Sequence, residues 1–198
     1  MAEPSSRSSA TASLPGRSPR KAALLTCEAV ASEAERCAHF RIRHQVFVIE
    51  QGLFGGSCGG ASGASGASGA CGTSGDDTDA FDDDPATIHV IGRADETICG
   101  TVRLYPAGPG GRWKGDRLAV LASHRHLGLG APLVRFAVGS AARLGGQEME
   151  AFIQPANVAF FRWLGWRAAG GLADYAGIPH QRMLIDLPAA PGWSPTPR

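Results

Sequence analysis

Three observations predict a mixed-sheet α/β domain of the α+β kind. The first is the order of periodic segments, β-α-loop-β-β-β-α-β-α-β-β, which lacks the regular alternation of a doubly wound parallel sheet. The second is a pair of short runs, Thr87–Gly92 and Cys99–Leu104, joined by a polar turn in the manner of a β-hairpin. The third is Arg117–Val134, where the apolar run Leu118–Leu121 passes through a glycine-bearing turn into an apolar-periodic helix. At 198 residues the chain is long enough for one domain with a proper core. A net charge of +1 asks for no nucleic-acid or membrane partner. No apolar run reaches transmembrane length.

Taken in order, residues 1–21 are Ser-rich and basic, with Arg7, Arg17, Arg20 and Lys21 against Glu3. They have neither the apolar face of a transit peptide nor a secretory core, and so predict a disordered tail. Ala22–Thr26 is a short first strand. Ser32-x-x-Glu35 is a capping box, and a helix should run from Glu33 to Val46, anchored by Phe40, Val46 and Phe47. Phe47-Val48-Ile49 then places Glu50 either at the edge of the core, where a carboxylate can serve as a base, or in a solvated loop. In the span 55–75, nine of 21 residues are Gly and ASG occurs three times, which predicts a disordered insertion. Asp76–Asp84 carries six Asp in nine residues, either a solvated loop or a rim attracting a cationic amine.

His89 alternates with Ile88 and Val90, as a structural strand histidine does. Pro106–Gly111 breaks the chain, and Trp113–Leu121 forms the strand leading to the glycine turn. The helix that follows carries Leu133, Val134, Ala137, Val138, Ala141 and Leu144 at helical spacing, with Pro132 in its first turn and Gly145-Gly146 at its end. Met149–Gln154 is a strand, Pro155–Leu164 a helix capped by Gly165, and Trp166–Ala169 and Arg182–Leu187 are strands. Residues 189–198 are a Pro-rich tail. The five cysteines are odd in number and lack metal-ligand spacing, which points to free thiols in a reducing, cytoplasmic setting and to no metal.

The turn after Leu121 has the chemistry of an anion site. Backbone N–H groups at a helix start have no intrahelical partner and sit at the positive end of the dipole. Glycines let phosphate approach them, and Arg125 adds a forked donor. Arg125, Gly128 and Gly130 fit R-x-x-G-x-G, whereas the dinucleotide fingerprint fails at Leu133 and no Walker-type loop is present.

This loop resembles the acetyl-CoA pyrophosphate loop of the GCN5-related N-acetyltransferases (GNATs). Further stretches strengthen the resemblance. Asn157-Val-Ala-Phe-Phe161-Arg-Trp-Leu-Gly165-Trp166 is similar to the family segment in which an Asn is followed by a Phe or Tyr and then by Gly-[FW], here Asn157, Phe161 and Gly165-Trp166. Val46–Gln51, the acidic stretch and His89–Gly92 resemble the N-terminal half of the ElaA-like branch and of a bacterial subgroup of nitrogen-starvation N-acetyltransferases. Gly177-Ile-Pro-His180-Gln-Arg-Met183 resembles that branch's close. The resemblance covers residues 22–188.

It implies a GNAT-type fold, with a central, mostly antiparallel sheet, one splayed strand pair and flanking helices. It implies acetyl transfer from acetyl-CoA to a small-molecule amine, and it admits a homodimer. The donor would contact Leu118, Ala119 and Val120, then Arg125, His126, Leu127, Gly128, Leu129, Gly130 and Ala131, with Asn157 and Phe161 beside it. Many members have Tyr at the position of Phe161, where it protonates the departing thiolate; Phe has no proton to give, and Tyr175 is the candidate replacement. Glu50 and His180 are equal candidates for the base, since imidazole suits proton transfer near neutral pH and Pro179 constrains the turn expected to present His180. The departure at Phe161 leaves two alternatives: an acyl-CoA-binding sensor without turnover, and an acyltransferase similar to acyl-homoserine-lactone synthases.

Overall fold

The computed structural model describes residues 22–53, 77–175 and 177–188. The two tails, the 55–75 insertion, Cys58 and Cys71 lie outside those residues. One seven-stranded sheet organises the rest, in the order β1-β2-β3-β4-β5-β7-β6. The strands are β1 (Leu25–Ala29), β2 (Ile88–Ala94), β3 (Thr97–Pro106), β4 (Arg112–Val120), β5 (Glu148–Ile153), β6 (Arg167–Tyr175) and β7 (Ile178–Asp186). Every neighbouring pair is antiparallel except β4–β5. The helices are α1 (Glu33–Arg43), α2 (Gly130–Arg143) and α3 (Val158–Trp163). The mixed, mostly antiparallel sheet expected from the sequence is what forms.

The β4–β5 pair is also splayed. Its parallel register covers only Arg112–Lys114 against Glu148–Glu150, after which the strands part. The main core lies on the face covered by α2. Leu129 and Leu133 are fully buried there, over the cross-strand pair Gly92 and Gly100. A Cβ at Gly100 would stand 2.8 Å from Leu133 Cδ1 and 2.9 Å from Leu129 Cδ2, so the helix start lies this close to the sheet because no side chain intervenes. The opposite face receives α1 through a smaller cluster of Ile42, Val46 and Ala119.

At the α1 start, Ser32 Oγ accepts from the Glu35 N–H at 3.3 Å, and Glu35 Oε2 accepts from the Ala31 N–H at 2.9 Å. The box therefore closes one residue earlier than the usual reciprocal pair. The ordinary α-helix stops at Arg43, and the chain continues to Glu50 as a π-helix, with the Gln51 N–H reaching Val46 O at 3.1 Å. The first strand begins three residues later than expected. The last two strands are longer than expected, because the exposed stretch Gly170–Asp174 has no inside–outside alternation and its pairing with β7 rests on backbone register. His180 consequently sits within β7 rather than in a turn.

Candidate active site

The strand leading into the glycine turn is β4. Thr101 pairs with Ala119, but Arg103 pairs with Asp116, so β4 bulges between them. Arg117 takes the left-handed conformation there, at φ 53°, and its carbonyl accepts from Thr101 Oγ1 at 3.2 Å. Leu118–Val120 then run along the open gap. A 3₁₀ turn over Ala122–Leu127 ends at Gly128, whose φ of 77° favours glycine, and α2 opens at Gly130 with no side-chain cap. The chain therefore runs from a strand end through a glycine turn into an uncapped helix start.

The side chains of the expected donor residues divide. Arg125, His126 and Gly128 are exposed, and Leu118, Val120, Leu127 and Gly130 are half-buried. Leu129, Ala131 and Ala119 point into the cores, so only their main chain can meet a donor. Asn157 makes no capping bond with its side chain and lines the cleft. Phe161 is buried, edge-on to Trp166 at 5.4 Å.

The cleft between β4 and β5 measures about 140 Å³ and passes from Val134 and Phe161 to Lys114, Phe152, Tyr175 and His180. His180 is 6% exposed, and its Nδ1 lies 2.8 Å from Ile178 O. A carbonyl only accepts, so Nδ1 carries the proton and Nε2 is the nitrogen not engaged there. The Tyr175 ring stands edge-on to His180 at 5.4 Å, and its hydroxyl accepts from Arg117 Nη1 at 3.1 Å. The structure thus brings His180 and Tyr175 together on the cleft.

Glu50 is placed elsewhere. It does not line the cleft, and it holds Arg125 through Nη2–Oε2 at 2.7 Å, while Arg125 Nε donates to Val120 O at 3.0 Å. Phe47 and Gln51, on either side of it, do line the cleft.

The acidic stretch divides: Asp83 and Asp84 stay exposed, as in a solvated loop, whereas Asp77 and Asp82 turn inward against Arg43, which is itself fully buried. Arg103 holds Asp79, Asp82 and Asp116, and Arg117 holds Asp79 at 3.0 Å. Burial disfavours the charged form of Asp82, but Arg43 and Arg103 outweigh it and hold the carboxyl well below the ordinary range. Behind this cluster His89 contacts Asp82 O at 3.1 Å and His39 at 3.3 Å. Burial first, then neighbouring positive charge, holds both imidazoles below their usual pKa.

Lys114, Phe152 and Arg117 were not singled out from the sequence as site residues. Lys114 alternates with Trp113 and Gly115 along a strand, which marks its face but not a cleft. The left-handed Arg117 leaves no signature at all.

Residues 67–166 match the model of the Acetyltransferase (GNAT) family. Three solved structures illustrate the likeness. Escherichia coli ElaA is 16% identical, over 81% of this chain and 99% of that one, at a TM-score of 0.63. An acyl-CoA N-acyltransferase from Pseudomonas aeruginosa is 22% identical, over 81% and 97%, at 0.60. FeeM, an N-acyl amino acid synthase from uncultured soil microbes, is 14% identical, over 83% and 92%, at 0.62. At such identities the likeness is one of fold. No curated protein matches the sequence.

Proposed function

The chain belongs to the acetyltransferase (GNAT) family, and from that premise we propose that it is an acetyl-CoA-dependent N-acetyltransferase acting directly on a small-molecule amine. The observation that carries this reading is His180, with Nδ1 committed to Ile178 O and Nε2 left for the cleft that opens beside the glycine turn. In this reading the donor lies along Leu118–Val120, with its pyrophosphate on the main chain of Arg125–Gly130.

The chemistry follows from the groups present. The acceptor nitrogen loses a proton to His180 Nε2 and attacks the thioester carbonyl carbon. The C–N bond forms, the C–S bond breaks, and the thiolate leaves as coenzyme A. Tyr175, standing in for the tyrosine that many members carry at the position of Phe161, supplies the proton to sulfur, and the proton taken up by His180 returns through solvent to the Tyr175 oxygen. The Arg117 guanidinium donates to the Tyr175 oxygen, which leaves the phenolic hydrogen available for donation.

His180→Gln keeps the bulk and removes the basic nitrogen. It should lower the turnover number by about 10²-fold or more, with acetyl-CoA affinity by calorimetry unchanged. Full turnover in that variant overturns the assignment of the base. No coenzyme A release from the wild-type protein with any amine would overturn the transfer itself and favour the sensor reading.

A further inference from the structure

The acceptor half of the cleft holds one cation without a counter-charge. Lys114 Nζ lies 5.2 Å from the centre of the Phe152 ring and 5.7 Å from that of Tyr175, and among the described residues it has no hydrogen-bonded or ion-paired partner. The carboxylates nearest it along the strands are committed elsewhere. Asp116, two residues on, pairs with Arg103 and accepts from Tyr105 Oη. Glu150, its register partner on β5, pairs with Arg182 at 2.9 Å. Phe152 and Tyr175 stack nearly parallel, at 11°, and give the ammonium an aromatic bed.

From this arrangement we infer that the acceptor is an amine that also carries a carboxylate, with the carboxylate held by Lys114 and the amine presented to His180. The inference rests on the acetyl-transfer reading for the amine's role and names its substrate class. A half-buried ammonium left to aromatic faces alone forgoes the charge-assisted hydrogen bonds available to it in water, and a ligand carboxylate would restore them. The geometry suits a compact molecule, because Lys114 and His180 share one neighbour, the Tyr175 ring. A simple cationic amine would meet the Lys114 ammonium as repulsion. Asp77, Asp79 and Asp82 offer no attraction in compensation, since they are engaged by Arg43, Arg103 and Arg117.

The test pairs each common α-amino acid with the amine that lacks its carboxylate, assayed by coenzyme A release at saturating acetyl-CoA. The best amino acid should exceed its decarboxylated partner about tenfold or more in kcat/KM. Lys114→Met, which keeps the aliphatic stem, should abolish that preference through a higher KM for the acid, with the KM for acetyl-CoA unchanged. Lys114→Arg should preserve it. Calorimetry of the same acid with the coenzyme A-loaded protein reads the subsite without turnover. Binding that is lost in Lys114→Met upholds the carboxylate subsite even if no acetyl transfer occurs, and that result would count against the transfer reading alone. Decarboxylated amines used as well as acids, an unchanged preference in Lys114→Met, or no amino acid bound at all would each overturn the inference.

Discussion

Arg125 and Glu50, 75 residues apart in sequence, are joined through the guanidinium fork, with Nη2 donating to Oε2 at 2.7 Å. The same guanidinium is anchored to the end of β4 through Val120 O. In the proposed reading, a donor pyrophosphate and the Glu50 carboxylate would be rival anions for this one cation.

Removing the rival should favour the donor. The pair is partly exposed, with side chains 45% and 33% accessible, so it is worth about 1 kcal/mol or less. Glu50→Gln should tighten acetyl-CoA binding by up to about fivefold, with the turnover number of the same order. Calorimetry and steady-state rates check both. A loss of about 10²-fold in turnover would instead assign the base to Glu50.

Gly100→Ala tests the close approach of α2 to the sheet. The new methyl would press on Leu129 and Leu133, both fully buried, and overpacking of this kind costs about 1–3 kcal/mol. The melting temperature should fall by several degrees. Leu129 also ends the glycine turn, so the KM for acetyl-CoA should rise as well. An unchanged melting curve would mean that the two leucines slide aside freely.

Acid should unfold the protein in two stages. His39 and His89 are held neutral, with folded pKa values below the ordinary one, so their contribution is present above about pH 6.5 and is lost as pH falls below it. Asp79 and Asp82 have lowered values, so their contribution is present above about pH 4 and is lost as pH falls further. Asp82→Asn should cost about 3–5 kcal/mol at neutral pH, by leaving Arg43 and Arg103 undercompensated, and should flatten the decline below pH 4. Denaturant midpoints at pH 7, 5, 4 and 3 follow all three effects. An acid limb in Asp82→Asn as steep as in the wild type would show that other groups govern it.

The parts of the fold legible in the sequence are those fixed by neighbours in the chain. The capping box at Ser32, the periodic face of α2 and the glycine turn each depend on residues within a few positions of one another. The inward fate of Asp77 and Asp82 depends instead on Arg43 and Arg103, which only the folded sheet brings together. The π-helical extension to Glu50 has no residue pattern of its own, and it takes Glu50 out of the cleft lining while leaving Phe47 and Gln51 in it. Gly170–Asp174 is a strand because β7 is beside it, so the GIPH segment was expected as a turn. His180 and Tyr175 were recognisable as candidates by residue type and by resemblance. Lys114 was not, because a lysine on a strand becomes informative only once its carboxylate neighbours prove to be spoken for.

The short register between β4 and β5 makes the sheet two leaves riveted at one end. One leaf, β1–β4, carries the glycine turn and Lys114; the other, β5–β7–β6, carries His180 and Tyr175. Away from the rivet, the bond from Arg117 to Tyr175 and the one from Gln154 to Gln51 are clasps across the opening. In the proposed reaction, the alignment of nucleophile and thioester would be a matter of the angle between leaves. Damage at Trp113 and Met149, in the rivet itself and beside Lys114, should change that angle and so act on catalysis before it acts on the melting of the whole.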